Sequence, residues 1–127
     1  MPRPTDTAER AGHAIAHRDE LERNGNWSLV RRSLDIRSFG VNLVEIPAGG
    51  SIPEHDETGR DQEEVFFVVS GQPTVVVDGE DIEAREGTFV RADVEARRTV
   101  RNDGSEPASV LIVSAPRSSG YEPMGWA

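Results

Sequence analysis

Apolar positions along the chain come in short runs, about five residues at most without interruption, separated by turn residues at close intervals. The runs lie at 27–34, 39–46, 65–69, 74–77, 88–92 and 110–113, and each is rich in β-branched or aromatic residues. Between them stand Asn24-Gly25-Asn26, Pro47-Ala48-Gly49-Gly50, Gly71-Gln72-Pro73, Asp78-Gly79, Glu86-Gly87 and Asn102-Asp103-Gly104. Short strands at this rhythm predict an all-β sandwich or barrel. Asp78-Gly79 predicts a hairpin, because both central residues of a type I′ turn need positive φ. Segment 7–23, with Ala8, Ala11, Ala14 and Ile15 at helical spacing, predicts a short N-terminal helical or irregular segment.

Strand alternation assigns faces. Glu64, Phe66 and Val68 share one face of their strand, and Val65, Phe67 and Val69 the other. The same parity puts Arg98 with Val100 and divides Arg91, Arg97, Arg98 and Arg101 between two faces, those facing out being surface charges. Both faces of 65–69 and of 110–113 are apolar, whereas a sheet wetted on one side alternates. One face fills a core; the other needs a cover.

The chain has 127 residues, which suits one domain burying roughly two-thirds of its unfolded surface. It has no Cys, so disulfides, zinc-thiolate sites and thiol nucleophiles are excluded, and no Lys, which excludes Schiff-base chemistry. A net charge of -9 argues against sequence-independent nucleic-acid binding, which needs a cationic face. The apolar runs are too short to predict a membrane span. Residues 1–6 read as a disordered lead-in with no apolar signal segment, so the expected location is cytoplasmic.

Two stretches resemble the signature motifs of the cupin family. Gly49, His55, Glu64 and Gly71 stand in the order of the first motif, with Glu57 at its second His and a gap of six residues from Glu57 to Glu64. Gly87, Asp93, Glu95, Arg98 and Asn102 keep the spacing of the second motif, with Asp for Pro, Glu for Gly and Arg for His. The resemblance runs from Phe39 to Ser114 and implies a double-stranded β-helix, or jelly-roll barrel. The predicted organisation is an arm at 1–24, a barrel at 25–116 and a tail at 117–127. In intact cupins three His and one Glu surround a divalent transition metal inside the barrel, and a guanidinium in place of one His cannot coordinate.

The resemblance thus implies a cavity containing His55, Glu57, Glu64, Phe66 and Arg98. In one reading His55, Glu57 and Glu64, helped by Asp56, hold a divalent transition metal. In the favoured reading Arg98 neutralises Glu57 or Glu64 by charge-assisted hydrogen bonds and no cofactor is needed. His13 and His17, four apart, are expected to be surface residues, and the acidic segment 56–64 a solvated loop rather than a calcium site. Three functions remain: a metal-dependent dioxygenase or isomerase using His55, Glu57 and Glu64; a metal-free enzyme with His55 as general base and Arg98 orienting the substrate; or a module that binds a small polar or anionic molecule. The last is the preferred expectation, with a homodimer covering the extra apolar face and neither nucleic acid nor membrane as partner.

Overall fold

The computed structural model describes residues 8–10 and 12–127; the expected lead-in at 1–6 lies outside them. Among the described residues there are eleven strands, one short α-helix and one 3-10 turn. The strands are β1 (Ala8–Arg10), β2 (His13–Ile15), β3 (Arg23–Asn24), β4 (Trp27–Ser28), β5 (Gly40–Ile46), β6 (Gln62–Ser70), β7 (Thr74–Val77), β8 (Glu80–Glu83), β9 (Phe89–Ala92), β10 (Arg98–Arg101) and β11 (Ala108–Pro116). The helix, α1, is Val30–Leu34.

All pairings are antiparallel. A six-stranded sheet has the order β3-β4-β5-β11-β6-β9, a three-stranded sheet the order β10-β7-β8, and β1 pairs with β2. The two larger sheets remain separate ladders, so the barrel is open. They share one core: Val44, Ile46, Phe66, Val68 and Val110 from the larger sheet meet Val75 and Val100 from the smaller. Each of these side chains contributes about 1.5–3 kcal/mol by leaving water. The Asp78-Gly79 turn that joins β7 to β8 has positive φ at both positions, 49° and 79°, as the hairpin signal requires.

Two segments differ from the sequence expectation. Where a helix was predicted over 7–23, β1 and β2 form a hairpin and only Arg18–Glu20 makes a single 3-10 turn, capped by His17; Thr7 and Ala11 lie outside the described residues. Gly12 explains the failure, because its φ of 88° cannot continue a right-handed helix. The run 27–34, expected as one strand, divides into β4 and α1. Ser33 is buried with its hydroxyl accepting the Glu22 backbone N–H at 3.0 Å, and Asp35 ends the helix in the left-handed region at φ 54°. No helix among the described residues is long and apolar enough to cross a membrane.

Candidate functional site

The six-stranded sheet supplies one wall of a cavity through its register. On β11, Ile112 lies between Asn42 of β5 and Phe66 of β6, and Ser114 between Gly40 and Glu64. Cross-strand neighbours share a face, so Asn42, Ile112, Phe66, Ser114 and Glu64 point to the same side. The opposite wall comes from segment 51–55, which runs beside β10. There His55 and Arg98 form a reciprocal backbone pair, His55 N–H to Arg98 O at 3.0 Å and Arg98 N–H to His55 O at 2.8 Å. Glu57 is brought in because its N–H donates to Val94 O at 3.0 Å, folding the loop back despite the long gap to Glu64.

His55, Glu57 and Glu64 converge. His55 Nε2 lies 3.0 Å from Glu57 Oε2 and 3.5 Å from Glu64 Oε1, and one ligand atom from each residue falls within 4.8 Å of the others. His55 Nδ1 faces the Pro53 carbonyl at 3.1 Å. A carbonyl only accepts, so Nδ1 carries a proton there. The short contact from Nε2 to the Glu57 carboxylate needs a second proton between those two groups. Burial raises the Glu64 carboxyl above its ordinary value; the Glu57 charge adds to this, and Arg98 and His55 oppose it only in part.

Arg98 stands behind Glu64. It is 0% exposed, its Nη2 donates to Ala92 O at 3.1 Å and Asp93 O at 2.7 Å, and its Nε lies 3.5 Å from Glu64 Oε1. Glu64 Oε1, Arg98 Nε and Arg98 Nη1 are buried without hydrogen-bond partners. The pair is therefore an ion pair by proximity rather than a charge-assisted hydrogen bond, which the sequence reading expected.

The cavity has a volume of about 220 Å³ and is lined by His55, Glu57, Glu64 and Phe66 but not by Arg98, contrary to the expectation that the guanidinium faces a ligand. Its remaining walls are apolar at Trp27, Ile52 and Ile112, and polar at Asn42, Arg60 and Gln62. Sequence reading missed these. Gln62 was within reach, since it shares the parity of Glu64 and Phe66, whereas Trp27 and Asn42 depend on pairings that no local pattern encodes.

Other candidates fall away. Asp56 does not join the cluster: it accepts from the Thr58 N–H at 3.1 Å and hydroxyl at 2.8 Å, and these bonds hold its carboxyl below its ordinary value. His13 sits on β2 while His17 caps the 3-10 turn, so the two share no helix face. Arg91 and Arg97 are exposed, paired with Asp93 and Glu54 respectively. In the acidic loop Thr58, Gly59 and Arg60 are exposed, and Arg117 ties down its end at Asp61.

Known structures share this architecture. A cupin protein from Bacteroides fragilis is 21% identical, with 91% of this chain and 92% of that one covered and a TM-score of 0.75. A sugar phosphate isomerase from a cupin superfamily, from Silicibacter pomeroyi, is 21% identical over 72% of this chain and 60% of its own, with a TM-score of 0.62. A predicted oxalate decarboxylase from Thermotoga maritima is 18% identical over 61% of this chain and 65% of its own, with a TM-score of 0.57. No curated protein sequence matches the chain. The sequence profile of the cupin domain matches residues 42–114, more than half the chain and inclusive of every residue in the His55, Glu57, Glu64 and Arg98 group. With the two antiparallel sheets around one core, this match shows that the chain belongs to the cupin family.

Proposed function

We propose that this cupin binds a small, polar, hydroxyl-bearing molecule in its cavity and does so without a metal. The observation that carries the reading is the convergence of His55, Glu57 and Glu64, from facing walls, in a 220 Å³ cavity also lined by Trp27, Ile52, Phe66 and Ile112. Such a site takes a ligand with an apolar side and a hydrogen-bonding end. At about 30 Å³ per water, the cavity has room for about seven waters, which suits a compact metabolite rather than a drug-sized one. The ionisable groups on its walls are two carboxylates, His55 and Arg60. Two carboxylates disfavour a dianion and accept hydrogen bonds from hydroxyls. The orienting role considered for Arg98 has no geometric support, since Arg98 does not line the cavity. If a proton is transferred, His55 beside Glu57 is the pair placed to do it. The fold neighbours named as a sugar phosphate isomerase and an oxalate decarboxylase lend the cavity reading support as a class, while their activities are not transferred by fold alone.

The convergence of three donor atoms also favours a metal, so the fit needs testing against Arg98. An ion ligated at about 2.1 Å by Glu64 Oε1 would sit within about 5.6 Å of a guanidinium Nε that is 3.5 Å from that oxygen. At an effective dielectric constant of about 20, the repulsion between a divalent ion and the guanidinium is about 6 kcal/mol, or roughly four decades of affinity relative to the same cluster without Arg98. The guanidinium cannot lose its proton to relieve this. Arg98 weakens the hold of this cluster on a divalent ion, and the metal-free reading is preferred on that ground.

The test is a nuclear magnetic resonance titration with myo-inositol, malonate and ethanolamine as probes. The expected result is saturable shifts of the Trp27 indole and the Asn42 and Gln62 side-chain amides with the neutral polyol, lost in Glu57→Ala. Saturation by malonate alone, or shifts confined to other surfaces, would overturn the reading.

A further inference from the structure

We infer that Arg98 is the resident cation of this site: a fixed guanidinium that balances the carboxylates from inside the protein and keeps divalent ions out. The inference rests on reading His55, Glu57 and Glu64 as the polar lining of a binding cavity, yet its test requires no ligand, so the two can fail separately.

Three observations point to it. Arg98 is 0% exposed, which for an arginine demands a compensating anion, and the carboxylate nearest to it is Glu64, at 3.5 Å. It is held in place from two sides. Its backbone is locked to His55 by the reciprocal pair, and Nη2 is bound by the carbonyls of Ala92 and Asp93. It therefore cannot swing away to admit an ion. Finally, Nε and Nη1 have no hydrogen-bond partners, so what Arg98 supplies to the site is charge rather than a hydrogen-bonded bridge. Glu64 Oε1 faces both Arg98 and His55, and Glu64 is one of the three residues placed to hold an ion. The cation and an incoming metal compete for the same carboxylate. Without Arg98, one imidazole and two carboxylates remain, a donor set suited to a divalent transition metal with open positions.

The prediction is a gain of function. Wild type, Arg98→Met and Arg98→His are titrated with Co²⁺ by calorimetry and visible absorption. Wild type is expected to show no saturable one-to-one binding, and both variants to bind one Co²⁺ per chain, roughly 10³–10⁴-fold more tightly. Tight one-to-one binding by wild type, or equal affinities in all three, would overturn the inference. A second measurement guards against loss of folding. Arg98→Met leaves the buried Glu64 carboxylate without its counter-charge, and at pH 8 its Tm is expected to fall below that of wild type. Adding Glu64→Gln to Arg98→Met is expected to recover much of the loss. A Tm unchanged in Arg98→Met, or a double variant as unstable as the single one, contradicts Arg98 as the balancing cation.

Discussion

Glu64 is where burial and pairing contend. The 3.5 Å approach of Arg98 Nε marks an ion pair, yet the Glu64 carboxyl is raised rather than lowered. Burial wins because the contact is too long and misaligned to count as a hydrogen bond, and because Glu57 adds a second negative charge nearby. The native state then holds the Glu64 proton to higher pH than the unfolded chain, whose carboxyl titrates near 4.5. Between that value and the raised one the native state binds more protons, so stability falls as pH rises through the window. Urea unfolding at a series of pH values is expected to show this decline in wild type and its absence in Glu64→Gln. Parallel pH profiles for the two proteins would contradict it.

At the scale of elements, the outward face of the six-stranded sheet is the least settled surface. Leu43, Leu111, Phe67 and Phe89 stand side by side across β5, β11, β6 and β9, and the Phe67 and Phe89 rings lie 4.4 Å apart. Phe89 is 70% exposed. Where polar residues would serve a wetted face, this row is apolar, and we propose that a second copy of the chain covers it through a two-fold sheet-on-sheet contact. Light scattering at micromolar concentration is expected to return twice the 13.9 kDa chain mass, and Phe89→Glu to halve it. A wild-type mass near 13.9 kDa would show that the row is covered from within the chain. The strands of the two larger sheets were legible where β-branched residues alternate or run together, as at β6 and β7. Those made of charged residues, β8 (Glu80–Glu83) and β10 (Arg98–Arg101), were not among the apolar runs, because their place is set by pairing with β7 rather than by their own hydrophobicity. Segment 7–23 misled because three of its four apolar positions were alanines, which give a weak moment, while Gly12 carried the stronger opposing signal.

At the scale of the molecule, spacing along the chain carried the family and part of the site. Gly49, His55, Glu64, Gly71, Gly87 and Asn102 keep their positions because backbone turns and strand lengths fix them. Gly71, at φ 87°, has no room for a Cβ beside Ala108, and Asn102 donates from Nδ2 to Ile46 O and Glu106 O. What spacing could not give is depth. That Arg98 lies behind Glu64 rather than beside a ligand follows from the carbonyls of Ala92 and Asp93, close in sequence, and from the pairing of β10 with segment 51–55, which is not. On the proposal made for Arg98, its guanidinium rather than a metal balances the carboxylates of the cavity. Its most direct test is the metal content of wild-type protein purified without added metal and then dialysed against Mn²⁺ and Zn²⁺. Well under one ion per chain is expected in both preparations; near-stoichiometric Mn, Fe, Ni or Zn bound through His55, Glu57 and Glu64 would contradict the role given to Arg98.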